Sequence, residues 1–266
     1  MAQRFSRGAE SDMRIQGLAD IATQFGGMLI DQFGVLHDGR KLFPGTLEVM
    51  AQLKAAGIPV AIMTNSGKRA APNVARITSM GVSRDMFVDC VSSGEVAYQS
   101  ITGGPAYIIG KQGEDYGFDT VKSVASPADA EVILIAGSDA PRTSLDDYRR
   151  LLSGVSVPAI CCNPDKWMLT PTGLQPAPGT IAALYEEMGG RVTWIGKPHP
   201  GIYRWAAGLI GNPSKILCIG DSAEHDVAGG RAAGFSTLLV MTGVSEGKAI
   251  AEIEPKPDYW MSDFTW

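Results

Sequence analysis

The chain has 266 residues, 45% of them hydrophobic, and a net charge of −5. That length suits one large domain or a core with a smaller insert, and the apolar fraction is enough to bury a sizeable core. No basic run exceeds two residues, which argues against a nucleic-acid groove or a patch for anionic membranes, and no apolar run reaches the ~18 residues that would suggest a membrane span. The stretch from Met1 to Gln16 is polar and carries no apolar signal core. The four cysteines, Cys90, Cys161, Cys162 and Cys218, form no C-x-x-C pair; three sit in or beside apolar runs. They read as small core hydrophobes in a reducing compartment, so a cytoplasmic location is expected.

In chain order, the first strand is expected at Met28 to Ile30, ending on Asp31. Pro44 and Gly45 open a helix whose apolar positions include Leu47, Met50 and Ala51, and Gly57 stops it. Ile58 to Met63 reads as a second buried strand ending on Thr64 and Asn65, and Ala70 to Met80 as a helix with Gly81 after it. Strand alternating with helix predicts an α/β fold: a Rossmann-like parallel sheet with crossover helices. Further on, Tyr107 to Ile109, Val132 to Ala136 and Pro158 to Cys161 read as strands, with helices near Ser144 to Leu152 and Thr180 to Met188. Residues 89–189 are expected to form a smaller inserted α/β domain, which leaves 1–88 and 190–266 as the core. The core pattern returns with a helix from Ile202 to Ile210 and a strand from Lys215 to Ile219, ending at Gly220 and Asp221. A helix from Ala223 to Ala233 and a strand from Thr237 to Met241 follow.

Four polar segments fall at expected strand ends or helix starts, the edge where open α/β sheets bind ligands. In Asp31-Gln32-Phe33-Gly34-Val35-Leu36, a strand-end carboxylate can attack phosphorus if a cation separates the two anions. In Thr64-Asn65-Ser66, a hydroxyl and the backbone N–H groups after it can bind phosphate oxygens. In Gly196-Lys197-Pro198-His199-Pro200, a lysine ahead of a helix can neutralise phosphate charge. In Gly220-Asp221-Ser222-Ala223-Glu224-His225-Asp226, two carboxylates five apart suit a hard cation, one binding it and the other orienting its waters. Each segment alone also has an ordinary reading: a turn or cap at Asp31, an N-cap at Thr64, a solvated turn at Lys197. Their occurrence in this order is what points to chemistry.

Together the four segments resemble the four sequence motifs of the haloacid dehalogenase superfamily, which is mostly phosphatases, and the resemblance spans essentially the whole chain. The insert between the second and third motifs resembles the α/β cap of the class IIA group, as do Asn163-Pro164-Asp165 and Pro178-Gly179. The resemblance implies a magnesium-dependent hydrolase of a small phosphorylated metabolite that works through an aspartyl-phosphate. It implies Asp31 as nucleophile and metal ligand, the Phe33 backbone carbonyl and Asp221 as further Mg2+ ligands, and Asp226 as a supporting acid. Thr64, Asn65, Ser66 and Lys197 would hold the phosphoryl group, and Asn163 and Asp165 would face it from the cap. The resemblance also admits a cap-mediated homodimer.

One residue departs from the pattern. The family's phosphatases carry a second Asp where this chain has Phe33, and that Asp protonates the leaving group, help worth about 10²–10⁴ in rate. A weak enzyme, or a binder of phosphorylated metabolites, is the alternative this substitution raises. A dehalogenase is the third reading; such enzymes carry an aromatic residue here and need no magnesium, yet they lack the fourth-motif Asp that this chain keeps as Asp221. His37 and Asp38, in a turn expected to be polar with an exposed histidine, are the nearby groups that could supply a proton. His199 and His225 have no His or Cys companions in sequence, which disfavours zinc.

Overall fold

The structure is a computed structural model, and it describes residues 13–101 and 103–266. The polar segment noted at the start of the chain lies outside the described residues as far as position 12.

The elements in chain order begin with β1 (Met13–Arg14), β2 (Gly27–Asp31), α1 (Thr46–Ala55), β3 (Val60–Thr64), α2 (Ala70–Ser79), β4 (Asp89–Ser92) and α3 (Ser93–Gln99). The middle of the chain gives β5 (Gly104–Ile109), β6 (Val121–Ser123), β7 (Val132–Ile135), α4 (Leu145–Leu152), β8 (Ala159–Cys161), β9 (Trp167–Thr170), β10 (Gly173–Pro176), α5 (Pro178–Glu187) and β11 (Val192–Trp194). The last part gives α6 (Pro200–Leu209), β12 (Ile216–Gly220), α7 (Ala228–Ala232), β13 (Ser236–Val240) and β14 (Tyr259–Met261).

The described residues fall into two compact units. The first comprises the chain up to Ile62, Met80–Val88 and Ala207–Trp266; the second comprises Met63–Ser79 and Asp89–Ala206. The boundaries therefore run through β3 and α6. The sheet of the first unit has the strand order β1-β14-β13-β12-β2. In the first unit β12 pairs in parallel with β2 on one side and β13 on the other. Every residue of β2 and of β12 is buried. That is the signature of central strands in a parallel sheet, where both faces are covered and the sequence reads as an unbroken apolar run.

The second unit carries a five-stranded parallel sheet in the order β11-β8-β7-β5-β6. Successive residues of its strands point to opposite faces. Ile133 and Ile135 join Tyr148 of α4 and Ile181 and Tyr185 of α5 in one core, while Leu134 joins Ala97 of α3 and Phe118 in another. Helix α4 starts where Ser144 and Asp147 cap each other: the Ser144 hydroxyl accepts from Asp147 N–H and the Asp147 carboxylate from Ser144 N–H, closing two of the helix's orphan donors. The hairpin β9–β10 is the antiparallel exception.

In α1 the buried face is Thr46, Val49, Met50 and Leu53, while the apolar Leu47 and Ala51 are exposed; the apolar residues outnumber the buried positions, and the 3.6-residue period chooses among them. One expectation needs correction. The segment Ala223 to Ala233 is not one α-helix. It begins as a π-helical turn, Ala223–Val227, and continues as α7. The Ser222 carbonyl accepts from both Asp226 N–H and Val227 N–H, and this wider turn folds the Asp226 carboxylate back onto Ser222 N–H at 3.1 Å. Such turns concentrate at functional sites.

Candidate active site

In the first unit, Asp31 ends β2, and Asp221 follows directly after β12. These are neighbouring parallel strands, so the two carboxylates emerge from the same sheet edge. The π turn adds Asp226. All three are buried, and one carboxylate oxygen from each lies within 4.8 Å of the others. A magnesium ion with bonds of ~2.1 Å spans at most about 4.2 Å between opposite ligands. The group therefore fits two direct ligands with a third acid reaching through water. Three buried like charges repel strongly, and a divalent cation is the usual remedy. Each acid also has one oxygen held by a backbone N–H: Asp31 Oδ1 by Gln32 at 2.8 Å, Asp226 Oδ2 by Ser222, and Asp221 Oδ2 by Val244 at 2.7 Å. Among the described residues this is the one His/Cys/Asp/Glu group compact enough to share an ion, and it contains no histidine.

The turn after Asp31 is tightly folded. The Gln32 carbonyl accepts from Leu36 and His37 N–H, and Gly34 N–H donates to the His37 carbonyl. Gly34 has φ of +90°, and a Cβ there would fall 2.1 Å from Asp221 Oδ2, so only glycine lets the turn pass this close to the acid. Phe33 points outward and is 54% exposed.

His37 corrects the expectation of an exposed histidine in a polar turn: it is fully buried. Its backbone bridges to Phe33 and Leu42, and its ring meets the Phe33 ring edge-on at 5.9 Å. Nδ1 accepts from Gly39 N–H at 2.9 Å, so the neutral ring carries its proton on Nε2. Asp38 is exposed, and backbone N–H groups of Lys41 and Arg40 hold its carboxyl below the usual aspartate value of 3.8. It is a carboxylate at neutral pH and a poor proton donor.

In the second unit, Thr64 ends β3 and its Oγ1 accepts from Ser66 N–H, while Ser66 Oγ accepts from Lys68 N–H. Asn65 is the hub. Its Nδ2 donates to Asp165 Oδ1 at 2.8 Å and to the Lys197 carbonyl at 3.1 Å; its Oδ1 accepts from Lys197 N–H at 2.7 Å and the Ser93 hydroxyl at 3.3 Å. An amide side chain has two donors and two acceptor sites, so the Asn65 side chain has no capacity left for a phosphate oxygen. It braces Lys197, which is itself buried, and the loop carrying Asn163 and Asp165, whose own turn is closed by Asp165 N–H on Asn163 Oδ1. The structure thus brings Asn65, Asn163, Asp165 and Lys197 into one network. Sequence reasoning missed Ser93 and the 242–245 segment, since lone hydroxyl residues in a short turn carry no chemical signature. His199 stacks on Trp194 at 6.1 Å.

Comparison with known proteins agrees with this geometry. A family profile described as haloacid dehalogenase-like hydrolase matches residues 28–122, and a second, described as HAD-hydrolase-like, matches 194–266. The chain is 27% identical over 242 residues to dihydroxyacetone phosphatase of Corynebacterium glutamicum, covering 87% of this chain and 86% of that one. A haloacid dehalogenase-like hydrolase from Brucella suis superposes with a TM-score of 0.83 at 25% identity, covering 94% of this chain and all (100%) of the other. The p-nitrophenyl phosphatase from Archaeoglobus fulgidus gives a TM-score of 0.73, also at 25% identity, covering 90% and 96%. With the strand-end acids, the parallel sheet and these likenesses together, the chain belongs to the haloacid dehalogenase superfamily, in its class IIA phosphatase group, and is a hydrolase of the phosphomonoesterase type.

Proposed function

We propose that the chain is a magnesium-dependent phosphatase of a small phosphorylated metabolite, working through an aspartyl-phosphate on Asp31. The observation that carries this reading is the buried trio Asp31, Asp221 and Asp226, with ligand atoms within 4.8 Å of one another. Magnesium would be held by Asp31, Asp221 and the Phe33 backbone carbonyl, with Asp226 behind them, and would supply charge neutralisation for the approach of one anion to another. A carboxylate oxygen of Asp31 forms a bond to phosphorus as the bond from phosphorus to the leaving oxygen breaks, and that oxygen departs with the electron pair. Water then attacks the phosphorus, releasing phosphate and restoring the carboxylate. Thr64, Ser66 and Lys197 neutralise and position the phosphoryl oxygens, with Asn65 holding Lys197 in place. Residues 89–189 are the proposed cap, and its Asn163–Asp165 segment faces the substrate. The names of the relatives, dihydroxyacetone phosphatase and p-nitrophenyl phosphatase, support a small phosphorylated substrate.

A second reading, a slow enzyme or a binder, is favoured by Phe33, an exposed ring with no proton to give. A panel of phosphorylated metabolites assayed with magnesium and with EDTA tests both. Magnesium-dependent phosphate release, with one phosphoryl mass added to the Asp31 peptide on acid quench, is expected. Tight binding without release or a trapped phospho-enzyme would leave the binder as the better account.

A further inference from the structure

The loop after β13 touches both segments that would carry the metal, although nothing in its sequence advertises it. Three hydrogen bonds come from consecutive parts of this loop. The Thr242 hydroxyl donates to the Gly34 carbonyl at 2.5 Å, Val244 N–H to Asp221 Oδ2 at 2.7 Å, and the Ser245 hydroxyl to the Asp221 backbone carbonyl at 2.6 Å. Gly243 lies between them with φ of +52°. A Cβ on Gly243 would stand 1.9 Å from Asp221 Oδ2 and 2.8 Å from Gly34 Cα. Together with the equally close approach of Gly34, this leaves Oδ2 walled in by two glycines and capped by one N–H.

We propose that Thr242–Ser245 is a clamp that orients Asp221, and with it the Phe33–Gly34 turn, toward the metal ion; this rests on the magnesium reading above. These are positioning residues. None of them needs to touch substrate or ion.

Asp31 and Asp226 are held by N–H groups one and four residues away in sequence, so their orientation is a local property of a strand end and a π turn. The N–H that holds Asp221 comes from 23 residues away. Only the folded loop can supply it. The Val244 side chain is 56% exposed, whereas Ser245 is buried; what position 244 contributes inward is main chain. With Oδ2 engaged, one oxygen of the Asp221 carboxylate is selected for the ion. Removing the N–H loosens the hold on Oδ2, and the cost of ordering the carboxylate must then be met when metal binds. Thr242 acts in parallel by fixing the peptide that follows the Phe33 carbonyl. Loss of partners that orient metal ligands typically weakens metal affinity about 10–100-fold.

The test is direct calorimetric titration of magnesium into the metal-free full chain, with thermal midpoints measured in EDTA. Val244→Pro deletes the N–H at an exposed position within a 3-10 turn. Val244→Ala keeps the N–H and sets the reference. Thr242→Val removes the hydroxyl at constant shape, and Thr242→Ser restores it. The clamp requires magnesium Kd to rise about 10–100-fold in Val244→Pro relative to Val244→Ala. It also requires a rise in Thr242→Val that Thr242→Ser largely reverses, with little movement of the midpoints in EDTA. If wild type binds magnesium and both Val244→Pro and Thr242→Val bind it within about twofold of wild type, the clamp is overturned while the metal reading stands. A wild-type chain that binds no magnesium overturns both. If Val244→Pro does not fold, Thr242→Val decides by the same criterion.

Discussion

Replacing Phe33 by aspartate places a carboxylic acid two residues after Asp31, where the ring now stands 54% exposed. Since less than half of the ring is covered, roughly 100 Å² of a ~200 Å² side chain is buried. At ~25 cal/mol/Å² its removal costs about 2–3 kcal/mol, so Phe33→Asp should remain folded. The exposure also means that the new carboxyl is not desolvated. A carboxylic acid at this position can donate to a leaving oxygen when protonated. General acid help is worth about 10²–10⁴ in rate, or about 2.7–5.4 kcal/mol of barrier at ~1.36 kcal/mol per decade.

This gain should depend on the leaving group. A nitrophenolate departs without a proton, whereas an alkoxide such as that of dihydroxyacetone departs badly without one. The assay compares kcat/KM for p-nitrophenyl phosphate and dihydroxyacetone phosphate at saturating magnesium. Wild type should favour the aryl substrate, and Phe33→Asp should narrow the gap by raising the alkyl rate. Phe33→Asn, of similar size but with no acidic proton, should not. Asp31→Asn should abolish turnover of both substrates in either background, because it removes the nucleophile. If wild type already cleaves the alkyl phosphate as readily as the aryl one, and Phe33→Asp brings no gain, another group supplies the proton and this account of Phe33 fails.

Asn65→Asp should destabilise the chain at pH 7 more than Asn65→Ala. It would set a carboxylate against Asp165 Oδ1 and the Lys197 carbonyl, where Nδ2 now donates; equal thermal midpoints for the two variants would contradict the brace. Glu95 is the acid partner of Arg69, at 2.7 Å to Nε and 3.1 Å to Nη2, and it also accepts from Ala70 N–H. Burial pushes its carboxyl up, but the bonds from Arg69, Ala70 and Gln99 outweigh this and hold it below 4.5. A depressed acid contributes stability above its unfolded value that is lost as pH falls through the folded one. The stability gap between wild type and Glu95→Gln should therefore be full at pH 7 and shrink below about pH 4.5; a gap independent of pH would refute the pairing. Burial pushes the Cys161 thiol up to about 12, and burial also raises the Cys162 thiol well above its usual value. Neither should react with an aromatic disulfide at pH 8 until the chain is denatured, and prompt labelling of the native protein at either position would show that the strand end opens.

The parts of the fold that could be read from the sequence are those where burial on both faces leaves no freedom of composition. β2, β3 and β12 are apolar up to their last residues, so their ends at Asp31, Thr64 and Gly220 stood out, together with the polar residues at and just beyond them. Short strands such as β1 and β14, and the exposed hairpin β9–β10, have no such constraint. Their pairing depends on partners distant in sequence, as with Met13 on Tyr259. His37 was misplaced for a related reason. A histidine in a glycine-bearing turn is usually solvated, and only the fold-back that bridges residue 37 to Phe33 and Leu42 buries it.

The site divides along the same line. Side chains that could do chemistry announced themselves by type and order, since carboxylates, a hydroxyl and a lysine followed one another at strand ends and helix starts. Groups that hold those side chains did not. The bond on Asp221 comes from a backbone N–H, which every residue but proline possesses, and the residue supplying it is an exposed valine. Asn65 was noticed for its place beside Thr64, but its four hydrogen bonds run to Asp165, Lys197 and Ser93, partners that only the folded chain assembles. The same division explains why Phe33 is the sharpest question the chain poses. The orienting bonds on Asp31, Asp221 and Asp226 are all in place, and a chain whose site served only to bind an anion would have no need to keep three buried carboxylates so ordered. The missing acid therefore narrows the range of leaving groups more readily than it argues against a nucleophile.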